Sequence, residues 1–335
     1  MGSPTETEDD TRAARRIVTA RRPGSRRRTL KRYGTVLAFM SPWLIGFVVF
    51  ILYPMLASLY YSFTSYDLLS PPRGVGFDNY AFMFTKDPVF WQAVRNTLWM
   101  ILFGIPIQIL FALLTAVVLT RPRRGVRVYR TIYFLPSMAP PVAAALAFVF
   151  VFNPATGPVN QLLGHLGIKN PPLWFFSPFW SKWGLLFLAL WGIGQTMIIF
   201  LAGLLDVPQQ LYEAADIEGA SRWQKFRLVT LPMISPVVFF ALVIGVIQGF
   251  QYFTQAYVAS AAVAGNAAGA ASTNVGSPQG SLMFYSLYLY VQGFANFRMG
   301  YASAMAWMLF VVTMACTVIL IRFSKRWVHY QGALR

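Results

Sequence analysis

Residues 206–232 read DVPQQLYEAADIEGASRWQKFRLVTLP. The stretch is too polar to enter a bilayer, yet long apolar segments flank it on both sides. Asp206 suits a helix N-cap, Pro208 the first turn, and Gln209 stands three residues after the cap. Gly219 is a natural helix terminator, and Ser221 with Gln224 opens a second helix by the capping-box signature. Pro232 marks entry to the next apolar segment. Leu211, Ala214, Ala215 and Glu218 share one face at helical spacing. The stretch reads as a helix–turn–helix between two membrane spans. On shape alone, an amphipathic loop lying on the membrane fits as well.

Outward from this element the chain is apolar. Of 335 residues, 56% are hydrophobic and only 12% charged, against about 25% charged in soluble domains. Six segments approach the ~20 residues a spanning helix needs. They run roughly over 36–63, 93–119, 132–152, 183–205, 235–258 and 301–321. Pro140 and Pro141 predict a kinked or shifted start to the third. The expected class is an all-α membrane protein with six transmembrane helices. Residues 1–32 read as a disordered basic cytosolic tail, and 33–330 as the six-helix domain containing the 206–232 loop.

The formal charge of +17 does not point to nucleic acid, because no recognition motif accompanies it and the charge is placed by topology. Ten basic residues precede position 33, five lie in 121–130, three are Arg222, Lys225 and Arg227, and four follow position 321. Only Arg73, Lys86, Arg95, Lys169, Lys182 and Arg298 remain on the other side. By the positive-inside rule both termini are cytosolic and the number of spans is even. The connection 261–280, rich in Ala, Gly and Ser, then reads as a flexible external loop.

All eleven acidic residues lie outside the six expected spans. Ion-coupled transporters keep ionisable groups within the membrane, so this pattern disfavours them and suits a neutral solute. No GxxxxGK[ST] and no HExxH occur, and the two histidines are far apart. No catalytic or metal-binding constellation is found, so an enzyme is not expected and no cofactor is expected in this chain. The single cysteine, Cys316, allows no disulfide within the chain and reads as a small apolar residue in a helix.

The 206–232 stretch resembles the EAA loop of permease subunits of ATP-binding-cassette (ABC) importers. That pattern is EAA, two residues, an acidic residue, GA, five residues, Phe and, six residues later, Pro. Glu213-Ala214-Ala215, Glu218, Gly219-Ala220, Phe226 and Pro232 occupy the matching positions. Glu218 replaces the usual Asp and keeps its charge. The stretches Ser41–Phe47, Gly249–Tyr257 and Phe297–Ala304 look like the carbohydrate branch, near maltose- and glycerol-phosphate-type permeases. The resemblance spans roughly 33–330, outside the loop 261–280. It implies the type I importer permease fold in the cytoplasmic membrane and ATP-driven import of a carbohydrate or polyol. The implied partners are a second permease subunit, two cytosolic ATPases that bind ATP and Mg, an external solute-binding protein and membrane lipid. It also implies that Glu213, Ala214, Ala215, Glu218, Gly219 and Ala220 couple to the ATPase. An amino-acid or phosphonate importer is the alternative branch, and a channel the alternative class.

Gln248, Gln251, Tyr252 and Gln255 recur at i, i+3, i+4 and i+7 in the fifth expected span. Buried amides are costly unless paired. They either hydrogen-bond to neighbouring helices or the second permease, or face the solute path, where neutral amides both donate to and accept from hydroxyls. Gln195, with Trp191 one turn earlier, is placed to face them from the fourth span.

Overall fold

The computed structural model describes residues 25–121, 124–265 and 275–328. The chain divides into two compact units, one ending at Ala57 and one beginning at Ser58. In the first, helix α1 (Ser25–Phe47) starts inside the stretch read as a tail. Arg, Lys and Leu are good helix formers, and nothing in 25–32 interrupts them. Residues 1–24 lie outside the described residues. After a π turn at Val48–Leu52, α2 (Tyr53–Ser62) continues the helix, so that Thr35–Ser62 is long and apolar enough to cross a membrane.

The second unit opens with a two-residue antiparallel pair, β1 (Thr64–Ser65) with β2 (Arg73–Gly74), and the short helix α3 (Asp78–Thr85). Helices α4 (Pro88–Trp99) and α5 (Ile105–Thr120) form one 33-residue apolar helix through a π turn at Met100–Gly104. Three of the four π turns among the described residues, at 48–52, 100–104 and 226–230, end two residues before a proline: Pro54, Pro106 and Pro232. Proline lacks the N–H of the helical ladder and its ring crowds the carbonyl four residues back. The wider turn shifts the ladder by one residue, so the helix passes through the proline unbroken.

The expected third span is not one straight helix. α6 (Val126–Phe134) and a 3-10 turn (Leu135–Met138) meet α7 (Pro141–Val151) at a 100° bend. Pro136, Pro140 and Pro141 remove three donors in six residues, so no helix can run through. After α8 (Pro158–His165), the expected fourth span is split into α9 (Ser181–Trp191) and α10 (Gly194–Leu205), bent by 50°. α11 (Gln209–Ile217), α12 (Arg222–Lys225) and α13 (Leu231–Met233) carry the 206–232 stretch. The expected fifth span is also split, into α14 (Ser235–Phe250) and α15 (Thr254–Val263), with a 63° bend ahead of Ser235. A further helix, α16 (Tyr285–Tyr290), precedes α17 (Met299–Ser324), which is unbroken. Among the described residues, three helices are thus long and apolar enough to cross a membrane, and three bent pairs bring the count to six if each is one span.

α10 packs along α5, with Ala112, Leu113, Ala116 and Leu119 against Ile193, Met197, Phe200 and Leu201. α14 approaches the α4–α5 helix through glycines. A Cβ at Gly245 would stand 2.7 Å from Ile105, and one at Gly249 would meet Ile105 and Ile101 at 2.7 and 2.8 Å. Small residues at crossings let apolar helices touch backbone to backbone, which is how packing holds helices together where water offers no driving force.

At the end of the 33-residue helix remote from Thr120, a carboxylate gathers the chain. Asp87 is 5% exposed. Its Oδ1 caps α4 by accepting from the N–H groups of Val89 and Phe90, both at 3.0 Å. Its Oδ2 accepts from the hydroxyls of Tyr288 (2.7 Å) and Tyr301 (2.5 Å), and Gln292 Nε2 donates to the Tyr288 oxygen. The loop read as flexible is anchored at both ends. Ala261–Val263 close α15, while Gln92 and Asn96 donate to the carbonyls of Gln279, Gly280 and Met283. Its middle, 266–274, lies outside the described residues.

Candidate functional site

Two features carry polar chemistry at helix breaks. The first is the element at 206–232. Asp206 is not the cap expected of it: it closes α10, and Pro208 occupies the N-cap position of α11, where its missing N–H costs nothing. Gly219 ends α11 with φ +74°, its N–H donating to Asp216 O while that of Ala220 donates to Ala215 O. Ser221 and Gln224 form the expected capping box. A Lys225–Asp216 ion pair and a 2.8 Å bond between the Tyr212 and Thr230 hydroxyls fasten the two short helices into one rigid piece. Glu213, Ala214, Glu218 and Gly219 remain exposed, Ala215 and Ala220 half-buried, and Ile217 is 89% exposed. The element presents a small-residue helix with an apolar knob and the carboxylates of Glu213 and Glu218, and no described residue of this unit covers it.

The second is a cleft of about 560 Å³ between α5, α9, α10, α14 and α15. Trp191, Gln195, Gln248, Gln251, Tyr252 and Gln255 all line it. They do not form one helical face, because α14 stops at Phe250 and α15 restarts at Thr254. The break turns the chain yet keeps the four side chains on the same cavity. Gln195 and Trp191 face it from the break between α9 and α10. That break needs Gly194: a Cβ there would lie 2.7 Å from the carbonyl of Tyr133. Gln108, from α5, also lines the cleft and was not singled out from the sequence. A lone amide within Ile-Pro-Ile-Gln-Ile-Leu at 105–110 was the available signal.

No charged side chain among the described residues lines the cleft. Among the described residues, no hydrogen bond occupies the side-chain amides of Gln108, Gln195, Gln248, Gln251 or Gln255. The Tyr252 hydroxyl is buried and also unpartnered, with its ring against Phe284. The N-terminal turns of α10 and α15 add backbone N–H groups that have no intrahelical partner. The arrangement offers both donors and acceptors and no net charge.

Residues 108–329 match the family described as binding-protein-dependent transport system inner membrane component. The chain belongs to this family. It is therefore a membrane component of an ABC transporter that works with a binding protein. A probable ABC transporter permease, YesP of Bacillus subtilis, is 42% identical over 88% of this chain and 92% of its own length. The lactose transport permease LacF of Rhizobium radiobacter is 34% identical over 79% and 85%. A crystal structure of a bacterial ABC transporter that imports the acidic polysaccharide alginate contains a chain superposing with a TM-score of 0.71. It is 26% identical and covers 89% of this chain and 98% of that one. A crystal structure of a bacterial alginate ABC transporter in complex with an alginate pentasaccharide-bound periplasmic protein also contains a chain that matches with a TM-score of 0.71, at 26% identity over 89% of this chain and 96% of that one. The fold is that of the type I importer permeases.

Proposed function

We propose that this chain forms one half of the translocation path of a carbohydrate importer and passes a neutral sugar or polyol through the 560 Å³ cleft. The observation that carries this reading is the set of five unpaired amides, with Trp191 and Tyr252, in an uncharged cavity. Sugar hydroxyls both donate and accept, so they can satisfy amides and half-helix ends alike. The Trp191 ring supplies an apolar face of the kind a pyranose stacks on. Relatives named for lactose and arabinooligosaccharide transport support the substrate class.

In this reading the six spans place both termini, the 121–130 segment and the 206–232 element in the cytosol. Glu213, Ala214, Ala215, Glu218, Gly219 and Ala220 then form a coupling helix seated in a separate ATPase subunit, where ATP and Mg bind. Closure of the ATPase pair rocks the spans through this rigid piece. A second permease subunit completes the path, and an external binding protein delivers the sugar. The test is uptake of radiolabelled carbohydrates by a strain lacking this chain, with and without its return on a plasmid. Restored uptake of a carbohydrate is expected. Restored uptake of an amino acid or phosphonate alone would overturn the assignment of substrate class.

A further inference from the structure

A second cavity, of about 500 Å³, opens where the spans end beside the 206–232 element. Its lining divides into two kinds. Val117, Leu204 and Phe226 make an apolar wall, and Arg121, Arg222 and Lys225 supply cations. The hydroxyls of Tyr212 and Thr230, bonded to each other, lie between them. Among the described residues, no carboxylate lines the cavity. Lys225 has Asp216 as its counter-ion, but among the described residues Arg121 and Arg222 have none.

The depth is informative. Thr120 closes the apolar helix that begins at Pro88, and Leu205 closes α10, so the cavity lies at the boundary between hydrocarbon and headgroups. Two unmatched guanidiniums there favour a ligand with several acceptor oxygens, which guanidinium forks bind in bidentate fashion. The apolar wall favours a ligand that continues into hydrocarbon. We propose that this cavity holds the phosphate of an anionic phospholipid, clamped between the ends of two spans and the 206–232 element. The lipid phosphate ties Arg121, which follows α5, to Arg222, which opens α12. It thereby braces the coupling piece against the bundle.

The site does not depend on which solute crosses the membrane, and its test needs no transport. The complete transporter is purified into nanodiscs of phosphatidylcholine with one-fifth phosphatidylglycerol, then delipidated stepwise in detergent. Retained lipid is counted by native mass spectrometry. Wild type is expected to keep phosphatidylglycerol after bulk lipid is gone. The R121Q/R222Q double variant is expected to keep at least fivefold less. R227Q removes an exposed charge of the same loop that does not line the cavity, and is expected to behave as wild type. Equal retention in all three proteins would overturn the proposal, as would an equal loss in R227Q, which would reduce the effect to bulk charge. A parallel arm uses inorganic phosphate in pure phosphatidylcholine nanodiscs. Thermal stabilisation of wild type by phosphate over chloride at equal ionic strength, without selective phosphatidylglycerol retention, would assign the cavity to a soluble phosphate and overturn the lipid assignment.

Discussion

The hydroxyl of Tyr301 donates to Oδ2 of Asp87 at 2.5 Å, joining positions 214 residues apart in the chain. The same carboxylate caps α4 and accepts from Tyr288, so one buried anion fixes the start of a 33-residue helix to α16 and α17. Removing an acceptor shared by four donors leaves each of them to find water or go unpaired. Asp87→Ala is expected to destabilise the protein by about 2–4 kcal/mol and Tyr301→Phe by about 1–2 kcal/mol. Thermal unfolding of the detergent-solubilised complex measures both. Equal melting temperatures for wild type and both variants would show that the network contributes nothing.

The glycine crossings give a second expectation. Gly245→Ala places a methyl 2.7 Å from Cγ2 of Ile105 and forces α14 away from α5. Overpacking of this kind costs about 1–3 kcal/mol. Ile105→Ala in the same chain makes room, so the double variant is expected to recover part of the loss relative to the sum of the singles. Strict additivity of the two melting-temperature changes would contradict the close crossing.

Much of this was legible in the sequence, for identifiable reasons. Hydropathy located the apolar segments, and Ser221, Gln224 and Gly219 took their expected roles because caps and terminators act within a few residues. The breaks after Trp191 and Phe250 were not legible, since neither carries a proline. Gly194 instead rests on the carbonyl of Tyr133, about sixty residues away. The role of Asp87 was not legible, because the tyrosines it binds come some 200 residues later. The glutamines were read as one helical face. They share one cleft for a different reason, namely that the chain turns at Gln251–Phe253 and keeps them facing inward.

Gly219 adopts φ +74°, with no neighbour within 4 Å of where a Cβ would be. A substitution there is opposed by backbone strain alone, about 1–2 kcal/mol for a β-branched residue. Gly219→Val is expected to insert and assemble normally but to lose solute-stimulated ATP hydrolysis as α11 misdirects its exposed face. Co-purification of the ATPase and stimulated hydrolysis are the readouts. Wild-type stimulation in this variant would remove the element from coupling.

Topology is tested by labelling single cysteines in a Cys316→Ser background. A cysteine at Gly269 is expected to react with a membrane-impermeant maleimide in intact cells, and one at Arg222 only after permeabilisation. The reverse pattern would invert the proposed orientation.

The most direct measurement for the cleft is solute uptake by the Gln248→Ala, Gln251→Ala double variant, set beside its basal ATP hydrolysis. Each lost hydrogen bond is worth about 0.5–1.5 kcal/mol. The half-saturation for uptake is therefore expected to rise about tenfold, while assembly and basal hydrolysis stay at wild-type levels. Unchanged uptake kinetics in a fully assembled double variant would contradict the account and take these amides out of the solute path.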